Sequence, residues 1–316
     1  MSYSFLRESK LYIVYGGNKY RIYTSTAITF NQTFAEESYS VKTLHDQSKM
    51  FEGSNITKAN PASFSFDVPL TIEKDESIVL TLVSDLSSSN TINSFDMYVQ
   101  TGSSIFKLEG AVLTSASFDF IPENQFTMRV EGEGTKLSRV AYYDTTGTPR
   151  WDDVLDDSAY TIPGSAQSES ATRTPLIVYP TVSLNDGSAK DMNNIISVNL
   201  TIQNEMAWTP FETLQDSLNN ITMFPSAHTV GKRTISGEIR QYQTDTNVEQ
   251  LDDFSTNTNL TITAKNVSGD ADFFKIQLNP AMYTARMQPE EVYTQSYDFR
   301  SLDNTDTVLT QITEYI

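Results

Sequence analysis

Hydrophobic and polar residues alternate along much of this chain. The clearest run is residues 63–68, in which every second position is Phe or Val and the others are Ser or Asp. A period of two is typical of a strand that buries one face. Residues 11–15 and 20–23 are apolar-rich runs on either side of Gly16 and Gly17, which predicts a hairpin. The pattern predicts a protein built mainly of half-buried strands.

Two segments depart from this alternation and predict helices. In residues 75–86 the apolar positions recur with helical spacing, and Asp75 and Glu76 are expected in the first turn, where the helix dipole favours negative charge. Residues 246–249 form a capping box that opens a second, shorter helix. The apolar residues of the two segments are Val79, Leu82, Val83 and Leu86 in the first and Val248, Leu251 and Phe254 in the second.

Short strings of sequence occur twice. Residues 13–15 (Ile-Val-Tyr) return as residues 177–179, and the string at 105–108 has an echo at 273–276. Such matches over most of the chain indicate one domain that was duplicated and then diverged. We therefore predict a first copy at 1–139, a linker or insertion at 140–174 and a second copy at 175–316. The predicted class is α+β, mainly β, with two tandem β-sandwich or half-barrel domains, each carrying a flanking helix.

Composition narrows the function. A net charge of −18 and a pI near 4.4 argue against a nucleic-acid-binding groove, which needs clustered Lys and Arg. An acidic surface would keep DNA from adhering, although plain solubility accounts for the charge equally well. The absence of cysteine excludes disulfides, thiol nucleophiles and thiolate metal sites. The absence of cysteine also fits a cytosolic product, and no signal peptide or membrane-spanning run is expected.

Two long polar stretches, residues 43–60 and 216–233, interrupt the strands, and each contains a Met-Phe pair. We interpret them as functional loops that contact a neighbouring subunit; local packing of each pair within its own loop is the alternative. The candidate docking residues of these loops are Met50, Phe51, Lys58, Met223, Phe224, Lys232 and Arg233.

Candidate reactive groups are sparse. His45 and His228 lack the neighbouring ligands of a metal site, and the acidic cluster at 152–157 lacks the order of a calcium loop. The sequence shows neither a nucleophile elbow nor a phosphate-binding glycine-rich loop. We therefore predict no enzyme activity, no catalytic or metal site and no cofactor. A carbohydrate-binding β-sandwich is an alternative class, with thin support from two tryptophans.

Residues 196–204 and 230–239 resemble bacteriophage tail tube proteins, in which a strand, a long loop and a Gly-basic-Thr-Ile-Ser-Gly strand precede a helix. The first half resembles them less, since residues 60–66 replace the Gly and basic positions. The resemblance implies sandwich domains whose sheets join edge to edge into a ring-shaped β-barrel. Three chains with two domains each would form a pseudo-hexameric ring, and the long loops would dock between stacked rings.

The resemblance also implies partners and a place in the virus. The expected function is a structural virion protein of the tail tube, made in the host cytoplasm, whose acidic lumen conducts genomic DNA without binding it. Expected partners are further copies of the chain and other tail proteins, namely tape measure, baseplate, terminator and sheath. A tube-like baseplate hub or tube initiator is the alternative role.

Overall fold

The computed structural model describes residues 9–42, 50–73, 75–84, 92–101, 104–121, 125–143, 149–150, 161–169, 172–185, 189–208, 224–225, 227–245, 259–266, 272–278, 280–289 and 291–301. Strands dominate and one helix accompanies them within these ranges, which confirms the predicted α+β, mainly β class. The elements of the first part of the chain are β1 Lys10–Tyr15, β2 Asn18–Ile22, β3 Thr29–Asn31, β4 Phe34–Lys42, β5 Met50–Ala59, β6 Ala62–Pro69, α1 Ser77–Ser84, β7 Phe95–Gln100, β8 Ser104–Phe120, β9 Thr127–Gly134, β10 Lys136–Tyr143, β11 Pro149–Arg150 and β12 Ser165–Ala166. Those of the second part are β13 Val178–Asn185, β14 Ala189–Asp191, β15 Ile195–Trp208, β16 His228–Tyr242, β17 Asn259–Asn266, β18 Asp272–Leu278, β19 Pro280–Gln288 and β20 Thr294–Ser301.

The first copy consists of two sheet layers that share one long strand. One layer has the order β2-β1-β7-β8, and the other has the order β3-β6-β9-β8. The 17-residue β8 passes from the first layer to the second, with its first half paired to β7 and its second half to β9. Alternating side chains of both layers and one face of α1 meet in a common core, represented by Ile13, Phe66, Val83, Phe118 and Val130.

The second copy repeats this strand order. Its layers are β14-β13-β17-β18 and β15-β16-β20-β19. The repetition extends to an irregularity: β8 slips by one residue against β9 between Leu113 and Ser115, and β19 slips against β20 between Met282 and Thr284. A β-bulge at the same place in both copies is a specific structural feature. The duplication predicted from short strings is therefore visible in topology and register.

The structure corrects one of those matches. Leu108 and Ile276, the last residues of the matched strings, lie opposite Met97 of β7 and Ile262 of β17. Ile13 lies opposite Met97, and Val182 lies opposite Ile262. The counterpart of Ile13 is thus Val182 and not Ile177. The similarity of residues 13–15 and 177–179 was misleading because short apolar strings recur wherever strands bury one face.

The helix predicted at 75–86 is confirmed at Ser77–Ser84, but its acidic residues have other roles. Glu76 lies just before the helix and is buried, where it accepts hydrogen bonds from the backbone N–H and the hydroxyl of Thr71. Asp75 pairs with Arg173 at 2.8 Å. The helix predicted after residue 246 lies outside the described residues. No helix in the described part of the chain is long and apolar enough to cross a membrane.

A Phe-Gly pair occupies the same cross-strand position in both copies, with the two residues exchanged. In the first copy Phe64 of β6 lies opposite Gly132 of β9; in the second, Gly237 of β16 lies opposite Phe299 of β20. Each ring covers its glycine, so that a Cβ at Gly132 would lie 2.6 Å from Phe64 Cε1 and one at Gly237 would lie 2.7 Å from Phe299 Cζ. At the position of Gly237 the first copy has Phe64, and its glycine lies opposite on the neighbouring strand.

Within the described residues, parts of both long polar stretches form strands where the sequence predicted loops. Residues 50–59 form β5, which pairs with β4 in a two-stranded hairpin, and residues 228–233 form the start of β16, which pairs with the end of β15. Polar side chains hid these strands because a hairpin can satisfy its backbone hydrogen bonds without a buried face. We call the β4–β5 hairpin the first arm, and residues 204–208 with 228–233 the second arm.

The predicted linker is partly folded onto the first copy. The boundary at residue 139 falls inside β10, and β12 extends the first layer by parallel pairing with β2. Further on, Arg173 lies over the ring of Tyr23, with 3.5 Å between the guanidinium carbon and the ring centroid. The backbone N–H of Thr174, 2.9 Å from Glu73 Oε2, lowers the pKa of Glu73, an effect that burial opposes. The described parts of this segment therefore fasten the passage between the copies.

Candidate assembly site

The two copies join through one antiparallel strand pair. The second half of β8 pairs with β15 from Val198↔Phe120 to Gln203↔Ser115. Leu200 and Phe118 lie opposite each other and are both buried. The joint makes one continuous layer with the order β3-β6-β9-β8-β15-β16-β20-β19. The joint therefore connects the last strand of the first copy's layer to the first strand of the second copy's layer.

The second arm lies against the first copy beside this joint. Asn204 Nδ2 donates to the carbonyl of Leu113 at 3.2 Å, at the point where β8 is bulged. Trp208 Nε1 donates to the carboxylate of Glu133. His228 Nε2 lies 3.1 Å from the carbonyl of Ile92, and its ring packs on Trp208. These contacts are polar and directional, so they fix the angle between the copies as well as holding them together.

Arg233 completes this contact from the interior. Only 4% of its surface is exposed, and its guanidinium donates to the carbonyl of Val83 in the last turn of α1. The last carbonyls of a helix lack intrahelical partners and carry partial negative charge, so a guanidinium is well suited to them. Arg233 of the second copy thus caps a helix of the first. Arg233, a predicted docking residue, thus places its side chain in the interior of its own chain.

The outer edges of the continuous layer are β3 and β19. In the described part of the chain, β3 pairs only with β6 and β19 only with β20. Met287 of β19 is 49% exposed, although it lies on the same side of the sheet as buried Tyr297. Phe30 of β3 is only partly buried against the core. Unpaired edges with apolar side chains are sites at which a further strand can add.

The remaining docking candidates lie on or beside the arms. Lys58 and Lys232 are exposed, and each lies beside the bulge of its own arm. The bulge lies between Ala35 and Glu36 in the first arm and between Glu205 and Met206 in the second. The basic position that the first copy seemed to lack is therefore Lys58. Phe224 is half-buried and contacts its own chain, with its ring edge-on to Phe34 at 6.4 Å and beneath Lys136.

Several of the residues on which the sequence predictions rest lie wholly or partly outside the described residues. Met50 and Phe51 begin β5, and their side chains are outside the described set, as is Met223 entirely. His45 and the acidic cluster at 152–157 also lie outside it. Trp208, which the carbohydrate-binding alternative would need on an open face, is instead hydrogen-bonded to Glu133.

The ionisable groups of the described residues show no arrangement for catalysis. These residues contain no group of three or more His, Asp or Glu side chains that could hold a metal. The most perturbed phenol is Tyr297, whose pKa burial raises to about 12. Its hydroxyl donates to Gln295 at 2.7 Å and receives a hydrogen bond from Gln241 at 3.2 Å. A neutral buried network of this kind orients the core strands that carry it.

The fold and its joint define a duplicated, mainly β protein with an extendable sheet. The chain belongs to the Bacteriophage Baseplate Tube Protein Family, whose model matches residues 1–149 and 157–316. The predicted likeness to tandem phage tube proteins is thereby confirmed. The family is a structural one of the phage tail and baseplate, so the chain is a virion component that assembles with other tail or baseplate proteins. No curated protein matches the chain.

Proposed function

We propose that three copies of this chain close into a pseudo-hexameric ring that forms part of the tube through which phage DNA leaves. The observation that carries this proposal is the joint between β8 and β15. It connects the last strand of one copy's layer to the first strand of the next copy's layer. Repetition of the same joint between chains continues the layer in one rotational sense, and such head-to-tail contacts form a closed ring when the rotation closes.

The dimensions of such a ring suit a DNA channel. Each chain contributes eight strands to the layer, so three chains form a barrel of 24. With strands about 4.8 Å apart and tilted by about 40°, the backbone of that barrel is about 48 Å across. This is wider than a DNA duplex. Closure also covers both unpaired edges, which removes the risk of uncontrolled strand addition.

The face of the layer that points away from the core would line the channel. It alternates with the buried positions and carries mostly small polar residues such as Ser65, Ser117 and Thr201. Carboxylates outnumber guanidinium groups on this face. Its charged residues are Asp67, Asp119, Glu131, Glu133, Glu205, Glu238 and Asp298 against Arg129, Lys232, Arg240, Arg286 and Arg300, with Arg129 paired to Asp67 and Arg286 to Asp298. A net negative, closely hydrated wall repels phosphates and gives DNA no place to bind.

The arms supply the contact between rings in this proposal. The strands of the first arm end at Lys42 and Met50, and those of the second at Trp208 and His228. Met50, Phe51 and Met223 would contact the next ring, with Lys58 and Lys232 at the bulges beside them. The family's baseplate origin favours the baseplate segment of the tube over a long tail tube, so purified protein is expected to give rings or short stacks by electron microscopy.

The first test of this function is the mass of the assembled particle. Native mass spectrometry should show a species near 106 kDa, three times the 35.4 kDa chain, or multiples of it. A particle of two, four or five chains would overturn the pseudo-hexameric ring. A chain that stays monomeric with purified baseplate partners present would overturn the assembly itself.

A second test concerns the channel wall. Asp119→Lys combined with Glu131→Lys is expected to leave ring mass unchanged and to make rings retain DNA at 50 mM salt but not at 200 mM, because Lys–phosphate contacts are salt-dependent. DNA retention can be measured by fluorescence anisotropy. The matched control is Asp119→Asn with Glu131→Gln, which removes the same charges without adding positive ones and should retain little DNA. Equal behaviour of the Lys variant and the wild type would place this face outside the channel.

A further inference from the structure

The internal joint fixes what the joint between chains must look like, residue by residue. We propose that β19 of one chain pairs antiparallel with β3 of a second copy of this chain, with Phe30 opposite Met287. This inference rests on the proposed ring and adds the register, the contact residues and the position of the first arm.

The register follows from the equivalence of the two copies. Phe30 lies opposite Phe64 of β6, and Leu200 lies opposite Gly237 of β16, at the position of the exchanged Phe-Gly pair. Phe30 therefore corresponds to Leu200. On the other edge, Phe118 lies opposite Met128 of β9, and Met287 lies opposite Gln295 of β20.

The duplicated bulges give independent support for the equivalence of Phe118 and Met287. In β8 the slip lies between Leu113 and Ser115, and in β19 it lies between Met282 and Thr284. Phe118 follows the first slip by the same number of residues as Met287 follows the second. Since Leu200 lies opposite Phe118 within the chain, Phe30 lies opposite Met287 between chains. The neighbouring pairs in that register are Thr29 with Gln288 and Asn31 with Arg286.

The chemistry of the two edges supports this register. Within the chain the central pair is apolar and fully buried. Between chains the central pair is also apolar, and it explains why Met287 stands half exposed at a sheet edge. A shift by one residue would put Met287 opposite Thr29 or Asn31, whose side chains point to the opposite face of the sheet.

The first arm gains a partner in the same arrangement. An isolated two-stranded hairpin is marginally stable in water, and the β4–β5 sheet contains no further strand in the described part of the chain. Trp208 of the second arm is hydrogen-bonded to Glu133. The residue of the second copy that is equivalent to Glu133 is Arg300, because Glu133 lies opposite Ser63 and Arg300 lies opposite Ser236. Glu36 of the first arm lies near the position equivalent to Trp208, so that an acidic residue of this arm would meet Arg300.

The absence of cysteine from the chain permits a clean crosslinking test. Directly opposed residues of an antiparallel pair have Cα atoms about 4.5–5.5 Å apart, within the range that a disulfide spans. Assembled protein carrying Phe30→Cys and Met287→Cys should give dimer and trimer bands on a non-reducing gel after mild oxidation, and monomer after reduction. The shifted pair Phe30→Cys with Ala285→Cys, whose Cα atoms would be about 7–8 Å apart, should remain monomeric.

The outcomes separate the register from the ring. Trimeric particles in which the shifted pair crosslinks, or in which neither pair does, overturn the proposed register and leave the ring intact. Protein that forms no three-chain particle under reducing conditions overturns the proposed function itself. If Phe30→Cys impairs folding, Thr29→Cys with Gln288→Cys tests the same register at more accessible positions, and monomer alone from that pair would count against it.

Discussion

Replacing Gly237 by alanine is expected to lower the free energy of unfolding by at least about 2 kcal/mol, because one added methyl group has no space there. The new Cβ would overlap the carbonyl oxygen of Asn199, which belongs to the backbone of β15, and would stand 2.7 Å from Phe299 Cζ. The ring could rotate away, but the backbone oxygen could move only by distorting the β15–β16 pairing. Urea denaturation followed by tyrosine and tryptophan fluorescence measures the loss.

Gly231 provides the matched control for this substitution. It lies in the same strand, and a Cβ there would meet its nearest neighbour, the carbonyl oxygen of Glu205, at 3.7 Å. Gly231→Ala is therefore expected to change stability by less than about 0.5 kcal/mol. Gly132→Ala should behave like Gly237→Ala, since its Cβ would meet Phe64 and the carbonyl oxygen of Val112 at 2.5 Å. Similar stabilities for Gly231→Ala and Gly237→Ala would contradict the proposed role of the Phe-Gly pair.

Replacing Arg233 by alanine is expected to cost about 2–4 kcal/mol, because it leaves a buried carbonyl without its charged donor and opens a cavity. The carbonyl is that of Val83, so the loss should appear in the first copy although the substitution is in the second. Hydrogen–deuterium exchange should become faster in residues 77–84. If the coupling between the two copies is lost more severely, we expect them to unfold in separate steps.

Lys232→Ala is the control for this experiment. Its side chain is adjacent in sequence but exposed, so stability should change by no more than about 0.5 kcal/mol. Arg233→Lys keeps the charge but has a shorter, non-planar head group, and it should recover only part of the stability. Unchanged exchange in α1 of the Arg233→Ala variant would show that the guanidinium does not hold the helix.

The parts of this fold that were predictable from sequence are those with local signals. Alternation located β6, and helical spacing located α1, because burial of one face imposes a period on each element. The duplication was also readable from strings such as residues 105–108 and 273–276, which form parts of β8 and β18. These strands keep their apolar faces in both copies, and so the resemblance survived divergence.

The arms and the joint were not predictable in the same way. The arms are polar hairpins, so their pairing leaves no period in the sequence. The joint pairs residues 115–120 with 198–203. Its register depends on bulges and on a Phe-Gly pair, and these features are recognisable only when the pairing of neighbouring strands is known. Arg233 adjoins Lys232 in a basic run, which normally indicates a solvent-exposed surface. Its burial depends on a helix end about 150 residues earlier in the chain.

The joint between the two copies also limits the errors that assembly can make. In the proposed ring, copies would be added two at a time, since every chain brings both copies already joined by strand pairing, by the second arm and by Arg233. Closures with five or seven copies are therefore impossible, whatever the flexibility of the contact between chains. The nearest wrong closures would contain four or eight copies, and they would change the rotation per copy by about 30° or about 15°. Fusion of the two copies would thus allow only even numbers of copies per ring, which restricts the width of the tube.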